Sequence, residues 1–369
     1  MEDTICAIST STGVGAISIV RVSGPEAIDI VNKIFKGKDL TKVESHTINY
    51  GHIVDKDNVV DEVLVSIMKA PKTFTTEDIV EINTHGGIAP TNKVLELLLE
   101  NGCRLAEPGE FTKRAFLNGR IDLLEAEAVM DMINAKTNTQ RELAVNQITG
   151  KVSGLINELR DDMVQIISNI NVNIDYPEYD DVDIITNDIL IPKISKLKSK
   201  IVKILNESRN GRIIKEGIKT SIIGKPNVGK SSLLNALLEE DKAIVTDIAG
   251  TTRDIVEGQI NINGILLNMI DTAGIRETED KIEAIGVEKS IKMMNESDLV
   301  LFVLNNNEPL TDDIKVLLNQ LSNKNYIIII NKNDLERKLD LEGIDVDKSN
   351  IINMSILNNQ GIDELKAKI

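Results

Sequence analysis

The sequence predicts a mainly parallel α/β domain in its C-terminal half, preceded by an α+β domain and a helical segment. After Gly217, short apolar runs alternate with helical stretches, which is typical of a parallel sheet with helices on both faces. From about Asp122, long stretches carry apolar residues at helical spacing, whereas the preceding region mixes half-buried strands with short helices. We therefore expect three domains, over residues 1–118, 119–210 and 211–369.

The composition fits a globular chain and excludes several classes of protein. Of its 369 residues, 41% are hydrophobic and 27% charged, which argues against wholesale disorder. Acidic residues outnumber basic residues by 58 to 42, which disfavours non-specific binding of nucleic acid over the whole surface. Five Phe, four Tyr and no Trp offer little for stacking single-stranded bases.

Neither a structural zinc site nor a membrane segment is indicated. Cys6 and Cys103 occur without a Cys-x-x-Cys pattern, so we expect two small buried side chains instead of a disulfide or a zinc site. The start, Met-Glu-Asp, has no basic leader, and the longest strongly apolar run, residues 326–330, is far below the ~20 residues that cross a bilayer. We predict a cytoplasmic protein without a membrane partner.

The N-terminal region shows strand and helix patterns but no catalytic constellation. Alternating apolar residues predict a strand over residues 17–22, followed by a Ser-Gly-Pro turn. The other expected elements are a helix over residues 26–35, strands over 61–68 and 79–83, and a helix over 91–99. The three histidines, at positions 46, 52 and 85, lie in unrelated contexts, which disfavours a metal site or a catalytic triad.

The middle region predicts two long amphipathic helices. Apolar residues at helical spacing begin at Leu123, and helix-forming residues continue to about Ile174. After an acidic turn, a second helix carries an apolar stripe, with Pro192 expected in its first turn. Such helices must bury their stripes on each other, on a third element or on a partner.

Residues 224–231 match the pattern Gly-x-x-x-x-Gly-Lys-Ser of a phosphate-binding loop. They lie between a predicted strand over 218–223 and a predicted helix over 232–238, which is the context that this motif requires. Glycines let successive backbone N–H groups point at phosphate oxygens, and the helix N-terminus adds positive potential. Lys230 is suited to reach the terminal phosphates, and the Ser231 hydroxyl to bind Mg²⁺.

Three later segments predict that the nucleotide carries guanine. Asp271-Thr-Ala-Gly follows a predicted strand over 265–270; its aspartate can hold a Mg²⁺-bound water and its glycine N–H can bind the γ-phosphate. Asn331-Lys-Asn-Asp follows the strand over 326–330, and Asp334 can accept both N1–H and N2–H of guanine, which adenine does not offer. A Ser-Ile-Leu loop at residues 355–357 would back the base. The expected GTP-binding residues are Asn227, Val228, Gly229, Lys230, Ser231, Ser232, Thr246, Asp247, Ile248, Ala249, Gly250, Thr251, Thr252, Asp271, Thr272, Ala273, Gly274, Asn331, Lys332, Asp334, Ser355, Ile356 and Leu357.

Residues 224–357 resemble a translation-factor-type GTPase, and the whole chain resembles the MnmE (TrmE) tRNA-modification GTPases. The run Thr-Asp-Ile-Ala-Gly-Thr-Thr-Arg-Asp at residues 246–254 matches that family's loop after the phosphate loop. The resemblance implies that Thr252 joins Ser231 on Mg²⁺. It also implies a K⁺ site, with the ligands Asn227, Thr246, Ile248 and Thr251.

The resemblance also implies how the attacking water is oriented. Ile275 follows the Asp-Thr-Ala-Gly segment, where Ras-like enzymes place the glutamine that orients this water, and an apolar side chain cannot do so. The family uses a glutamate a few residues later for this purpose, and by position this role carries over to Glu283. The alternative is an exposed acidic helix start, because residues 277–283 contain four acidic residues. Lys230 is the second expected catalytic residue. Potassium would supply positive charge at the phosphates; from sequence alone, Arg253 could do so as an arginine finger in cis.

For the N-terminal domain, the resemblance implies folate binding and dimerisation. Segments such as Gly-Ala-Ile-Ser-Ile-Val-Arg-Val-Ser-Gly at residues 15–24 and His-Gly-Gly at 85–87 recur in the family. The positions that match its folate contacts are Arg21, Glu81 and Arg120; the alternative for the first two is ordinary charges at a strand edge. Lys113, Arg114 and Arg120 form a compact basic cluster that could contact tRNA phosphate or cap the next helix.

The resemblance as a whole implies a K⁺-stimulated GTPase that acts in 5-carboxymethylaminomethyl-type modification of the tRNA wobble uridine. The implied partners and cofactors are a second copy of the chain, an MnmG-type FAD protein, tRNA, Mg²⁺, K⁺, and 5-formyl-tetrahydrofolate or a related folate. Because the family continues beyond the GTPase domain to a terminal Cys-x-Gly-Lys motif, we expect the helical domain here to be incomplete. Two alternatives stay open: a ribosome-assembly GTPase, and a folate-binding dimeric scaffold without modification activity.

Overall fold

The computed structural model of the protein describes residues 3–175, 187–240, 258–270 and 286–369. These residues form two compact units. The first comprises Met1–Met130 and Gln147–Gly154, and the second comprises Asp131–Asn146 and Leu155–Ile369.

The first unit is built on a seven-stranded sheet in the order β3-β4-β5-β6-β2-β1-β7. Neighbouring strands are antiparallel except β1 and β7, which pair in parallel. The strands are β1 (Ile5–Ile8), β2 (Ile17–Ser23), β3 (Phe35–Lys36), β4 (Thr47–Asp55), β5 (Asn58–Met68), β6 (Ile79–His85) and β7 (Arg104–Leu105). Three helices accompany them: α1 (Ala27–Ile34), α2 (Ile88–Glu100) and α3 (Glu110–Leu117).

One face of this sheet is covered by α1 and α2. Their apolar side chains, among them Ile30 and Leu98, join Val20, Val65 and Ile82 of the strands in one core. The predicted elements over residues 17–22, 26–35, 61–68, 79–83 and 91–99 are confirmed. Both cysteines are buried free thiols in this region, as expected.

Strand β4 could not be found from its hydrophobic pattern, because that pattern is inverted. Asn49 and Gly51 face the core, whereas Ile48 and Tyr50 are exposed. Gly51 is required at its position, since a Cβ there would press against the ring of Phe35. The polar and small residues thus occupy the inward positions of this strand.

In the described residues of the helical region there are four helices in place of the two long ones that the sequence predicts. They are α4 (Leu123–Asn134), α5 (Asn138–Ile148), α6 (Lys151–Asp175) and α7 (Asn187–Glu216). The expectation of continuous helix from Asp122 to Ile174 is wrong, because the helix is interrupted between α4 and α5 and again between α5 and α6. The second interruption is at Gly150, whose φ of +72° ends α5. Pro192 lies inside α7, beyond its first turn. Helix α6 buries none of its side chains in this structure.

The second unit contains a six-stranded sheet in the order β13-β12-β11-β8-β10-β9. Only the β9–β10 pair is antiparallel. The strands are β8 (Ile218–Ile223), β9 (Gln259–Ile262), β10 (Ile265–Met269), β11 (Leu299–Asn305), β12 (Asn325–Asn331) and β13 (Ile351–Asn353). The helices are α8 (Lys230–Glu240), α9 (Gly286–Glu296), α10 (Asp312–Asn319) and α11 (Ile362–Lys368).

Helices cover both faces of this sheet, as the sequence predicts. Leu233 of α8 and Leu365 of α11 belong to the core on one face, and Met294 of α9 and Leu317 of α10 belong to the core on the other. The strands that apolar runs predict over residues 218–223, 265–270, 299–304 and 326–330 are confirmed, while β9 and β13 were not predicted. Among the described residues, no helix combines the length and apolar character that crossing a membrane requires.

Candidate nucleotide-binding site

The phosphate loop connects β8 to α8 at the carboxyl edge of the parallel strands, where α/β sheets bind ligands. Asn227 and Gly229 adopt left-handed backbone conformations, with φ of +62° and +102°. Val228 between them is buried in the core and anchors the loop. The conformation keeps the loop backbone tightly curled at the start of α8, as phosphate binding requires.

Lys230 is held against the backbone of its own loop. Its Nζ donates to the carbonyl oxygens of Gly224 at 2.7 Å and Lys225 at 2.6 Å. Burial lowers the pKa of this ammonium group. The two carbonyls thus keep a partly desolvated cation at the loop that would cradle phosphates.

The segment after β12 is joined to the phosphate loop by two side chains. Asn331 donates Nδ2–H to the carbonyl oxygen of Val228 at 2.8 Å, and its Oδ1 accepts the backbone N–H of Ile356 at 3.2 Å. Lys332 Nζ donates to the carbonyl oxygen of Asn227 at 2.9 Å. The structure therefore brings three of the four predicted motifs together.

Asp334 is oriented by the third of these motifs. The Ser355 hydroxyl, which is buried, donates to Asp334 Oδ1 at 2.6 Å. The backbone N–H of Asn333 donates to the carbonyl oxygen of Met354 at 3.1 Å, which holds the two loops side by side. A fixed, exposed carboxylate beside the phosphate loop is suited to accept the two N–H donors of guanine. Leu357, in contrast, is exposed.

Ser231 and Ser232 lie exposed in the first turn of α8. The remaining predicted residues of the nucleotide site lie outside the described residues. They are Thr246, Asp247, Ile248, Ala249, Gly250, Thr251, Thr252, Asp271, Thr272, Ala273, Gly274 and Glu283.

In the first unit, the structure also brings the three predicted folate contacts into one neighbourhood. Arg21 and Glu81 are directly opposite on β2 and β6, and Arg21 Nε donates to Glu81 Oε1 at 2.8 Å. The Arg21 guanidinium lies 6.0 Å from the ring centre of Phe74 and 5.6 Å from that of Phe111. Arg120 stacks on Phe74 at 4.9 Å and donates to its carbonyl oxygen at 3.1 Å.

Phe74 and Phe111 were missed by the sequence analysis. The sequence did contain a signal for these two residues, namely the rarity of phenylalanine. The chain has only five Phe, and Phe111 is the one in the Glu-Phe-Thr segment at residues 110–112. A cleft of about 550 Å³ opens beside Phe74. Its lining residues are Met68, Pro71, Lys72, Thr73, Phe74, Thr76, Asn118, Gly119 and Arg120.

The predicted basic cluster of Lys113, Arg114 and Arg120 is corrected by the structure. The Arg114 side chain is fully buried and pairs with Asp3 at 2.8 Å and with Glu77 and Glu110, both at 3.2 Å. It therefore cannot contact nucleic acid. The burial of Arg114 could not be predicted from the sequence, because two of its three carboxylate partners come from distant parts of the chain.

No metal-binding cluster of His, Cys, Asp and Glu side chains occurs within residues 3–175, 187–240, 258–270 and 286–369. His85 has a single acidic partner, with its Nδ1 2.7 Å from Asp61 Oδ1. This carboxylate raises the pKa of His85.

Comparisons with known proteins found matching family models, relatives and solved structures. The family model for the N-terminus of the GTP-binding protein TrmE matches residues 4–120, and the model for the MnmE helical domain matches residues 123–369. The tRNA modification GTPases MnmE of Bacillus cytotoxicus and Bacillus thuringiensis are each 58% identical over 371 positions, covering 100% of this chain and 81% of the relative. The solved G domain of FeoB from Methanococcus jannaschii covers 41% of this chain and 94% of its own, with 25% identity and a TM-score of 0.27.

The two family models and the full-length relatives confirm the resemblance found in the sequence. They also confirm the predicted fold class, an α/β P-loop GTPase domain with an N-terminal α+β domain and a helical domain. The chain therefore belongs to the MnmE (TrmE) family of tRNA modification GTPases.

Proposed function

We propose that this chain hydrolyses GTP in a K⁺-stimulated reaction that serves 5-carboxymethylaminomethyl-type modification of the tRNA wobble uridine in the cytoplasm. One observation carries the nucleotide assignment. Asn331 and Lys332, from the predicted guanine motif, bind the backbone of Val228 and Asn227 in the phosphate loop, at 2.8 Å and 2.9 Å. A base held at Asp334 would thus have its phosphates directed at Lys230.

The residues of the loop would bind the triphosphate by charge and by backbone N–H groups. The Lys230 ammonium, held by two carbonyl oxygens, is a cation that can turn toward the β- and γ-phosphates. The N-terminus of α8 faces the same loop and favours negative charge. Asp334, oriented by Ser355, would select guanine through its two N–H donors.

The described part of the site fits both metals that the family implies. Ser231, in the first turn of α8, offers a hydroxyl for Mg²⁺, with Thr252 as its proposed second protein ligand. Asn227, exposed on the loop, offers an uncharged oxygen to K⁺, with Thr246, Ile248 and Thr251. When bound, the two ions supply positive charge against the charge that develops on the phosphates. Glu283 is the proposed residue that orients the attacking water.

The neighbourhood of Phe74 fits a folate. A carboxylate, Glu81, can pair with the amino-pyrimidine edge of a pterin, and the aromatic rings offer stacking surface. Arg120 lines the 550 Å³ cleft and could bind the carboxylates of the glutamate tail. We propose that this domain binds 5-formyl-tetrahydrofolate or a related folate through Arg21, Glu81 and Arg120.

We further propose the domain boundaries 1–118, 119–210 and 211–369, a homodimer, and an MnmG-type FAD protein as partner. The family membership supports these assignments. We propose that this partner supplies the FAD for the modification reaction.

The nucleotide assignment is tested with purified protein. A fluorescent GDP analogue should bind the wild type and bind the Lys230→Ala variant at least about tenfold more weakly. GTP hydrolysis should run at least about tenfold faster in K⁺ than in Na⁺. Equal rates in the two salts would refute the K⁺ site.

The water-positioning role of Glu283 has matched controls in its own acidic run. Glu283→Gln should lower kcat by about tenfold or more with nucleotide affinity within about twofold of wild type. Glu277→Gln and Glu279→Gln should leave kcat unchanged. If either control variant loses activity while Glu283→Gln does not, the assignment moves to that residue.

The folate and tRNA assignments need separate measurements. Titration calorimetry with 5-formyl-tetrahydrofolate should show binding to wild type, and weakening by about tenfold in Arg21→Ala, with Arg141→Ala as an exposed control. Wobble-uridine nucleosides from cells that carry only this chain and its FAD partner should contain the modified base. Absence of folate binding in wild type would refute the folate assignment.

A further inference from the structure

The β9–β10 hairpin contacts a capped turn at residues 136–139. None of the nucleotide contacts described above involves this turn. At the start of α5, the Gln140 backbone N–H donates to Thr137 Oγ1 at 3.1 Å, and the Thr137 backbone N–H donates to Gln140 Oε1 at 3.3 Å. These reciprocal bonds form a capping box. The backbone N–H of Lys136 also donates to Gln140 Oε1, at 2.8 Å. Three hydrogen bonds therefore hold this turn.

The same turn is fastened to the end of α7. The side-chain amide of Gln140 donates to the carbonyl oxygens of Ile214 at 3.1 Å and Lys215 at 3.2 Å, which are near the last residue of that helix. Lys215 Nζ also lies 2.8 Å from Asp131 Oδ2. Because α7 leads directly into β8, the turn is fixed relative to the central sheet.

From this fixed turn, Lys136 reaches the hairpin. Its Nζ donates to Gln259 Oε1 at 2.5 Å. Gln259 Nε2 donates to Asn268 Oδ1 at 2.9 Å, and these two residues are cross-strand partners on β9 and β10. Asn268 Nδ2 in turn donates to the carbonyl oxygen of Glu216 at 2.9 Å. A continuous polar chain thus holds the base of the hairpin.

The tip of the hairpin is held as well. Gly264, with φ of +91°, packs so closely that an added Cβ would overlap Thr139 Oγ1. Thr139 belongs to the same capped turn as Lys136. The hairpin is therefore supported at both ends by residues 136–139.

The hairpin is continuous in the chain with two predicted segments of the nucleotide site. Strand β9 begins at Gln259, soon after Thr252, and β10 ends at Met269, two residues before Asp271. Both are expected on the Mg²⁺ side of the nucleotide. We propose that Lys136 is a positioning residue for GTP hydrolysis, acting through Gln259 on the hairpin that joins these two segments. This inference rests on the proposed function.

The test separates turnover from binding. Lys136→Ala should lower kcat by about fivefold or more, with GDP affinity within about twofold of wild type, because the contacts of Asn331 and Asp334 lie on other strands. Gln259→Ala should have the same effect, and the double variant should be no slower than either single variant. Lys136→Arg should restore most of the rate, since a guanidinium can also donate to Gln259. Lys193→Ala, an exposed lysine on α7, is the control.

A kcat within about twofold of wild type in Lys136→Ala would overturn the inference. So would a fall in kcat matched by equal losses of GDP affinity and melting temperature, because that pattern indicates a purely structural role. Failure of the wild type to bind or hydrolyse GTP would overturn the proposed function and this inference with it. The first two outcomes leave the proposed function intact.

Discussion

The side-chain N–H of Asn331 donates to the carbonyl oxygen of Val228 at 2.8 Å. This single bond joins the end of β12 to the phosphate loop after β8, although β11 lies between those strands in the sheet. Asn331 is only 4% exposed, so both ends of its amide must be satisfied within the protein. We therefore propose that the alignment of base and phosphates depends on this residue.

We expect Asn331→Ala to weaken GDP binding by about tenfold or more. The substitution leaves the Val228 carbonyl and the Ile356 N–H without their partner, and an unsatisfied buried polar group costs about 1–3 kcal/mol. Fluorescence titration and thermal unfolding measure the two effects. Asn333→Ala, an exposed neighbour in the same motif, serves as the control; wild-type affinity in Asn331→Ala would contradict the assigned role.

Exchange of Asp334 for Asn should change base preference. The Ser355 hydroxyl can still donate to the amide oxygen, which leaves the amide N–H₂ facing a base. Because guanine presents two N–H donors there and xanthine presents an N–H and a carbonyl, Asp334→Asn should lose GDP affinity by about 100-fold and gain affinity for XDP. Competition between the two nucleotides gives the answer. Unchanged preference for GDP would exclude Asp334 as the base-reading residue.

The stability of the first unit should fall at acid pH through Glu110. The hydrogen bond from Arg104, with others from Glu107 and Arg114, lowers the pKa of this carboxyl from 4.5 to about 2. Because the folded pKa is the lower one, the stabilisation is complete above the unfolded value and is lost between about pH 5 and pH 2. The pKa of the Asp3 carboxyl is lowered as well, and the hydrogen bond from Arg104 is again the largest cause.

The variant Arg104→Ala tests this linkage. It should lower the thermal midpoint at pH 7, and the difference from wild type should shrink toward zero as the pH falls to about 2. Arg141→Ala, which removes an exposed arginine, should show no such trend. A constant difference at every pH would mean that Arg104 acts through packing alone.

The two thiols should be inert in the folded protein. Cys6 and Cys103 are buried, and the hydrogen bond to Cys6 together with burial raises the pKa of Cys103 well above its usual range. Because the thiolate is the reactive form, Ellman's reagent at pH 8 should label neither thiol before unfolding and both afterwards. Ser199→Cys, on the exposed face of α7, should react at once. Rapid labelling of the native wild type would show that this core opens.

The two sheets differ in how well the sequence predicts them. Strand β11 is buried at every residue, and such strands are continuous apolar runs that are easily found. Strand β4 was missed because Ile48 and Tyr50 face outward while Asn49 faces in. The helical region was predicted as helix, but the capping box at Thr137 starts a separate helix and the left-handed Gly150 ends it, where local spacing alone suggests continuity.

The sequence by itself determined the fold class, the family and the chemical identity of the nucleotide site, because phosphate and guanine recognition use residues that are consecutive in the chain. Only the tertiary structure decided which side chains are partners. It buried Arg114 among three carboxylates, set Phe74 between Arg21 and Arg120, and connected Asn331 to Val228. Apart from Arg114 and Glu110, which are four residues apart, these contacts join residues that are far apart in sequence, where neither periodicity nor spacing carries information. They arise only when strands and loops are brought together by packing.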